Sequence, residues 1–392
     1  MRSYNDRMKE MNFGGLYEIF SHANKLEASG KRIIHMEIGR PDFDSPQIAK
    51  EAVKEALDRG EVHYTDINGV EELRRAICEK ERRRFGLEYD YESEIAITAG
   101  ACEAISSIIL SYMNFGEEII IPTPYFSAYT EQAIIAGVNI LDVPLSIENN
   151  WELDPKEIEK RITEKTKVLM INSPSNPAGY ILSKENLQKI ADIAIKYDLL
   201  VISDECYDEF VYGEEFVSIA TLPEMFERTL VVKSTSKSFS MTGWRIAYVL
   251  GPSEMVKYIN KVHQNLSTCA TAFAQWGAVA AFDKADSFID KMVEEFRKRG
   301  EVLYEKLSQI PEFKLAKPEG AFYLYPEISA TGMTDKEMAS YLMEEAGVVV
   351  VPGSSFGSKN GQYIRLAYCR SMDEIIEAGD KITKAIAKLR EE

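Results

Sequence analysis

The chain has 392 residues, of which 45% are hydrophobic and 28% are charged, and its formal net charge at pH 7 is -17. A chain of this size and composition can bury one large core or two domains, and its acidic balance disfavours nucleic acid and anionic membrane surfaces as partners. The N-terminus has no apolar signal core and no run is long enough to span a bilayer, so we expect a soluble protein.

The cysteines are scattered along the sequence. There are five, an odd number, and none has Cys-x-x-Cys spacing: Cys78, Cys102, Cys206, Cys269 and Cys369. This pattern favours neither a disulfide framework nor a zinc site. We therefore expect no metal and a reducing, cytoplasmic location.

Helices and strands alternate along the first two thirds of the chain. A capped amphipathic helix is predicted after Ser45-Pro46 and is stopped by Gly60. Short apolar runs rich in β-branched residues predict seven buried strands, at 95–98, 119–121, 140–143, 168–171, 199–202, 230–232 and 246–249. Strands that alternate with helices in this way predict an α/β fold, with a mainly parallel sheet covered by helices on both faces.

The remaining third predicts a smaller α+β region. A long helical stretch runs from about Thr271 to Gln309. Strands are predicted after it at 321–325, 348–351 and 363–367, together with a helix from Asp335. We expect three parts: an N-terminal arm with part of the small domain at 1–44, a large domain at 45–283 and a small C-terminal domain at 284–392.

The segment around Lys237 is the strongest candidate for chemistry. It is a loop that follows the buried strand ending at Val232, and open α/β sheets bind ligands at the carboxyl ends of their strands. The neighbouring groups that suit a phosphate are Ser234, Thr235, Ser236, Ser238 and Arg245. An amine beside a phosphate site suggests a Schiff base with a phosphorylated aldehyde, pyridoxal phosphate. The alternative is an ordinary solvated lysine.

A second cluster follows the strand at 95–98. Gly100, Ala101 and Cys102 are small residues that open a helix, and the free amides of a helix N-terminus can bind phosphate. The alternative is a tight turn in which the glycine only relieves crowding.

Two further strands are followed by polar side chains. The loop at 172–179 contains prolines that fix its backbone, and Asn176 within it could donate to a phenolate oxygen. The alternative is that these residues serve only to form the turn. Asp204 follows the strand at 199–202, where a carboxylate needs a cationic partner such as a pyridinium nitrogen. Tyr207 could then donate to the phenolate oxygen. A helix cap or a structural ion pair is the alternative for Asp204.

Arg365 lies within the apolar strand predicted at 363–367. A buried guanidinium must find an anion, and it can grip a substrate α-carboxylate with two hydrogen bonds. A structural pair with one of the many acidic residues is the alternative.

Together these residues resemble the class I/II aminotransferases, fold type I of the pyridoxal-phosphate enzymes. The resemblance rests on motifs in family order that span nearly the whole chain: Gly39-Arg-Pro-Asp-Phe43, His63-Tyr64-Thr65 with Gly69, the loop at 172–179, Asp204-x-x-Tyr207, Ser234-x-Ser236-Lys237, Gly243-Trp-Arg245 and Arg365. It implies a mainly parallel seven-stranded sheet sandwiched by helices, plus a smaller α+β domain. It also implies ping-pong transfer of an amino group from an L-amino acid to a 2-oxo acid, which the family suggests is 2-oxoglutarate.

The resemblance also implies roles for individual residues. Lys237 would form the Schiff base and move the proton, Asp204 would pair with the pyridine nitrogen, and Tyr207 would bond the phenolate oxygen together with Asn176. Phe126 is expected to stack on the ring. Phosphate contacts would come from Gly100, Ala101, Cys102, Ser234, Ser236 and Arg245, and from Tyr64 of the other subunit of a homodimer. Substrate contacts would come from Gly39, Asn176, Arg365 and Tyr17.

Two departures from the family bear on the substrate. Some bacterial aspartate aminotransferases of this subclass have a lysine that reads the distal carboxylate where this chain has Cys102, and the segment 12–17 offers an aromatic and two glycines instead of a cation. Both departures weaken an aspartate preference. The same scaffold also resembles C–S lyases, 1-aminocyclopropane-1-carboxylate synthases and oxidases. It further resembles the effector-sensing half of transcription regulators, but no basic helix-turn-helix segment precedes Gly39.

Overall fold

The computed structural model describes residues 5–11, 16–213, 215–357 and 361–391. Its strands are β1 (Ile34–His35), β2 (Ile95–Thr98), β3 (Glu118–Thr123), β4 (Asn139–Pro144), β5 (Thr166–Asn172), β6 (Leu200–Asp204), β7 (Thr229–Ser234), β8 (Ala247–Leu250), β9 (Tyr323–Leu324), β10 (Val348–Val349), β11 (Val351–Pro352) and β12 (Ile364–Ala367). Its α-helices are α1 (Leu16–Ala28), α2 (Gln47–Asp58), α3 (Glu71–Phe85), α4 (Ala101–Tyr112), α5 (Ala128–Ala136), α6 (Pro155–Glu159), α7 (Lys184–Lys196), α8 (Thr235–Ser238), α9 (Ser253–Ser267), α10 (Ala272–Lys284), α11 (Asp286–Leu307), α12 (Asp335–Tyr341) and α13 (Met372–Leu389).

The central sheet has seven strands in the order β2-β8-β7-β6-β5-β3-β4. Only β8 runs antiparallel to its neighbours, and the other strand pairs are parallel. The prediction of an α/β fold with a mainly parallel sheet is therefore confirmed. In the register of this sheet Asn172 pairs with Asp204 and Asp204 pairs with Val232, which brings the ends of β5, β6 and β7 to one edge.

Both faces of the sheet are buried. On one face Ile121, Met170 and Val232 pack with side chains of α4, α5 and α9. On the other face Leu169 and Val201 pack with α7, while neighbouring strands pack with α3 and α10. Because the central strands β5, β6 and β7 are covered on both sides, they contain apolar runs, which is the pattern that predicted them, whereas the edge strand β4 is only partly buried.

The smaller sheets belong to the α+β region. Strand β1 pairs in parallel with β10, and β11, β12 and β9 form an antiparallel sheet. Helices α11, α12 and α13 contribute to a core with these strands. Helix α10 packs on α2 of the large domain, whereas α11 packs on α13 of the small one. Because α10 ends and α11 begins at Ala285, we propose a domain boundary there, next to the predicted one.

One local prediction, the capping of α2, was wrong. Ser45 does not cap α2, because its hydroxyl donates instead to the carbonyl oxygen of Ser240, 195 residues away along the chain. The helical stretch predicted from about Thr271 to Gln309 consists of two helices, α10 and α11, which meet at Ala285. None of the helices in the described ranges is both long enough and apolar enough to cross a membrane.

A buried ionic cluster lies behind the sheet edge that carries the candidate site. The Nζ of Lys233 on β7 lies 2.7 Å from Glu81, 3.1 Å from Asp208 and 3.6 Å from Glu205, and all four side chains are buried. Burial alone would lower the pKa of Lys233, but the three carboxylates together raise it. Lys233 therefore faces three buried carboxylates, of which Asp208 also pairs with Arg84 at 2.7 Å. In the sequence Lys233 is next to Ser234, and Glu205 is next to Asp204.

We expect the Lys233→Met variant to be strongly destabilised, because it leaves buried carboxylates without their cation. Removing one partner from a buried ionic group costs about 3–5 kcal/mol. The midpoint of urea unfolding measures this, and Lys189→Met, which breaks an exposed pair with Glu185 on α7, is the control. Equal midpoints for the two variants would contradict a stabilising role for the cluster.

Candidate active site

A cavity of about 370 Å³ opens at the carboxyl ends of β5, β6 and β7. Its walls include most of the residues that the sequence predicted for the site: Gly39, Ala101, Cys102, Phe126, Asn176, Asp204, Tyr207, Ser234, Ser236, Lys237, Arg245 and Arg365. These residues come from at least six separate segments of the chain. The fold therefore brings together side chains that are more than 300 positions apart in the sequence.

Lys237 lies in α8, the short helix directly after β7. Its amine is within the cavity wall and donates a hydrogen bond to the carbonyl oxygen of Gly39 at 2.6 Å. The rings of Tyr207 and Phe322 lie 5.9 and 5.8 Å from the amine. Burial lowers the pKa of Lys237. A larger neutral fraction makes this amine a better nucleophile and base than an exposed lysine.

Asp204 ends β6 and is only 5% exposed. Its Oδ2 accepts a hydrogen bond from the Tyr129 hydroxyl at 2.6 Å, and its Oδ1 accepts one from the backbone amide of Cys206 at 3.1 Å. Burial raises the pKa of Asp204, and these two hydrogen bonds oppose the rise. No lysine, arginine or histidine within the described ranges forms an ion pair with this carboxylate, so it faces the cavity ready for a cation.

Gly100 and Arg245 form a cradle at the N-terminus of α4. Gly100 is the N-cap residue with a φ of 97°, and a Cβ placed on it would lie 1.9 Å from Nη2 of Arg245. Arg245 itself has a φ of 57° and donates weakly to the carbonyl oxygen of Ala99. The guanidinium therefore packs against a helix N-terminus whose first amides are free. The combination suits an anion such as a phosphate.

Ser234 and Ser236 lie beside this cradle. The Ser234 hydroxyl accepts a hydrogen bond from the amide of Ser236 at 3.1 Å and donates to the carbonyl oxygen of Ile246 at 3.2 Å. Both serines line the cavity, so their hydroxyl oxygens lie where a phosphate oxygen could approach.

Arg365 on β12 is buried without a carboxylate partner among the residues that the structure describes. Its Nη1 donates to Oδ1 of Asn176 at 3.0 Å and its Nη2 to the carbonyl oxygen of Glu37 at 2.6 Å, while its Nε has no partner in the described structure. The rings of Tyr323 and Phe356 flank the guanidinium at 4.6 and 4.8 Å. A cation held only by neutral acceptors is suited to binding an incoming carboxylate.

Tyr323 explains why position 39 is a glycine. A Cβ on Gly39 would lie 2.2 Å from the Tyr323 hydroxyl oxygen, which is also 2.7 Å from the hydroxyl of Tyr207. Any larger residue at position 39 would displace this pair of phenols. The cavity wall thus depends on close approach of the backbone here.

Three of the predicted residues are not among those that line the cavity: Gly100, which lies against the side chain of Arg245, and Tyr64 and Tyr17. Tyr64 is 84% exposed and does not line it, and its predicted contact from another subunit stays a prediction. Tyr17 belongs to α1, but its side chain lies outside the described residues, so its predicted substrate contact also stays a prediction.

Several residues that line the cavity were not predicted from the sequence, and four of them contact predicted residues of the site: Tyr129, Gln132, Tyr323 and Phe356. The Tyr129 hydroxyl bonds Asp204 and the Gln132 amide donates to the carbonyl oxygen of Cys102 at 2.8 Å. Their spacing from Phe126, three and six residues, could have indicated that they share its face of a helix. Tyr323 lies in a predicted strand, but the sequence pattern of a strand does not show which side chains of other segments Tyr323 contacts.

The comparisons with known proteins give one family. The model of the family "Aminotransferase class I and II" matches residues 31–382. The chain is 40% identical over 384 residues to an aspartate aminotransferase of Pyrococcus abyssi, with 97% of each chain covered. It is 38% identical over 384 residues to aromatic-amino-acid aminotransferase 2 of Thermococcus litoralis, again with 97% of each covered.

A solved structure extends the agreement from sequence to fold. The aspartate aminotransferase of Thermus thermophilus, crystallised with maleate, matches with a TM-score of 0.93 at 32% identity. The match covers 98% of this chain and 100% of that one. With fold and sequence in agreement over nearly its whole length, the chain belongs to the class I and II aminotransferases, has the architecture of fold type I and transfers amino groups.

Proposed function

We propose that this aminotransferase holds pyridoxal 5'-phosphate in the cavity described above, attached through Lys237. The observation that carries the proposal is that one cavity holds an amine with a lowered pKa, Lys237, and a buried carboxylate, Asp204, that forms no ion pair among the described residues. Arg245 lines the same cavity and packs against Gly100 at the N-terminus of α4, which adds an anion site. The cavity thus offers a group for the aldehyde, the ring nitrogen and the phosphate of this cofactor.

The remaining residues fit the same cofactor. Asp204 would pair with the ring nitrogen, Tyr207 and Asn176 would bond the phenolate oxygen, and Phe126 would stack on the ring. The phosphate would contact Gly100, Ala101, Cys102, Ser234, Ser236 and Arg245. When bound, the cofactor supplies an electron-withdrawing ring that stabilises negative charge on the α-carbon of the amino acid.

The residues of the chain then have distinct tasks in the reaction. Arg365, next to Gly39, binds the α-carboxylate, which the amino acid and the 2-oxo acid share, so one site serves both substrates in turn. The Nζ of Lys237 removes the α-proton and later returns it, and its lowered pKa places it closer to neutral pH for both steps. Because the same site is used twice, the first product leaves before the second substrate binds.

We further propose 2-oxoglutarate as the amino acceptor, on the basis of the family, and a cytoplasmic homodimer as the working form. In such a dimer Tyr64 of each subunit would complete the phosphate site of the other. Its high exposure and its position outside the cavity of its own chain support this arrangement. The scattered free cysteines support a reducing compartment.

The Lys237→Ala variant tests the central assignment. It removes both the attachment point and the base, so we expect amino transfer to fall by at least about 100-fold. Borohydride reduction followed by intact-mass measurement should show retained cofactor in the wild type and none in the variant. Lys196→Ala, at an exposed site on α7, is the matched control and should behave as the wild type. Unimpaired transfer by Lys237→Ala would defeat the assignment.

The Gly100→Ala variant tests the phosphate cradle. The added methyl group would collide with Arg245 at a φ that alanine rarely adopts, so we expect the affinity for pyridoxal phosphate to fall by at least about tenfold. Titration of the dialysed protein with the cofactor measures this. Gly116→Ala is the control, because Gly116 also has a positive φ but has no atom within 4 Å of the added Cβ. Equal affinities in the two variants would exclude this cradle.

A further inference from the structure

The N-terminal part of α5 and the residues just before it form one wall of the cavity. Phe126, Tyr129 and Gln132 all line it, at intervals of three residues. From their contacts we propose that Tyr129 is a positioning residue that keeps Asp204 charged and correctly oriented for a cationic ring. This inference rests on the proposed function, because it concerns the group that Asp204 would pair with.

The contact between Tyr129 and Asp204 is short and buried. The hydroxyl of Tyr129 donates to Oδ2 of Asp204 at 2.6 Å, and the two side chains are 1% and 5% exposed. The residues are 75 positions apart, so the bond connects α5 to the end of β6. With the amide of Cys206 bonded to Oδ1, both carboxylate oxygens have a fixed donor, and the direction of the group is set.

The charge of Asp204 depends on such donors. Burial raises the pKa of this carboxyl, and the Tyr129 hydroxyl is the strongest influence that opposes the rise. The other groups that act on it are Cys206 beside it and Lys237 across the cavity. Loss of the Tyr129 hydroxyl would therefore favour the neutral acid, which is a poorer partner for a pyridinium.

The ring of Tyr129 also contacts Phe126, another residue of the cavity wall formed by this segment. It lies edge-on to Phe126, with ring centroids 5.7 Å apart and an angle of 90°. One turn further along α5, Gln132 holds the carbonyl oxygen of Cys102 at the phosphate cradle. One short segment thus supports the stacking ring, the carboxylate and the cradle together. The hydroxyl and the ring of Tyr129 can be tested separately, because phenylalanine retains the ring.

The test is a double-mutant cycle of Tyr129→Phe and Asp204→Asn on the affinity for pyridoxal phosphate. A hydrogen bond to a charged group is lost in the first variant, so we expect its affinity to fall by about 10- to 100-fold. In the Asp204→Asn background the same change should cost less than about twofold, because the charge it supports is gone. Tyr125→Phe is the matched control: Tyr125 is a buried tyrosine of the same segment that does not line the cavity, and its hydroxyl accepts from Thr130.

A pH profile provides a readout that a purely structural role would not change. The affinity for the cofactor falls as the pH drops through the pKa of Asp204, since the neutral acid binds the ring poorly. Tyr129→Phe raises that pKa, so the loss of affinity should begin at a higher pH than in the wild type or in Tyr125→Phe. Thermal unfolding of each variant shows whether the fold is intact.

The possible outcomes separate the role of Tyr129 from the proposed function. If the wild type binds no pyridoxal phosphate, the proposed function fails. If the wild type binds it and folded Tyr129→Phe retains the wild-type affinity and pH profile, the positioning role alone is wrong. That role is also wrong if Tyr129→Phe costs as much in the Asp204→Asn background as in the wild type, because Tyr129 would then act independently of Asp204.

Discussion

The site depends on one buried carboxylate, Asp204, that forms no ion pair with a side chain in the part of the protein that the structure describes. Asp204 is placed at the sheet edge by its register with Asn172 on one side and Val232 on the other. Burying such a charge is costly unless hydrogen bonds or an opposite charge compensate it. Tyr129 and the Cys206 amide provide the hydrogen bonds, and the opposite charge has to come from whatever occupies the cavity.

The ends of β6 and β7 at the cavity are also held by the buried ionic cluster around Lys233. Lys233 and Glu205 belong to the buried ionic cluster, and their immediate neighbours in the sequence, Ser234 and Asp204, line the cavity. Because successive residues of a strand point to opposite sides, each strand end has one side chain in the cluster and the next in the site. The geometry of the site therefore follows from a rigid part of the fold rather than from a mobile loop.

The sequence predicted the strands well because both faces of the sheet are buried along most of its strands, which makes those strands apolar runs. It also predicted twelve residues of the cavity wall. Residues such as Asp204, Asn176 and Lys237 could be predicted because polar side chains after buried strands of a parallel sheet meet at one edge. Gly39 and Phe126 were implied only by the resemblance to the aminotransferases. The antiparallel direction of β8, the capping of α2 and the roles of Tyr129 and Tyr323 could not be predicted. Each depends on a contact between distant parts of the chain, such as the hydrogen bond between Tyr129 and Asp204, which are 75 positions apart, and local patterns do not encode such contacts.

The most direct test is a half-reaction screen, in which single L-amino acids are added to the purified enzyme without any 2-oxo acid. We predict that one or a few amino acids change the visible absorbance of the bound cofactor and release one equivalent of the matching 2-oxo acid per site, since the amino group remains on the enzyme. The active amino acids would identify the donor. Release of ammonia, a thiol or peroxide without that stoichiometric 2-oxo acid, or the lack of any cofactor absorbance, would contradict amino transfer through pyridoxal phosphate at this site.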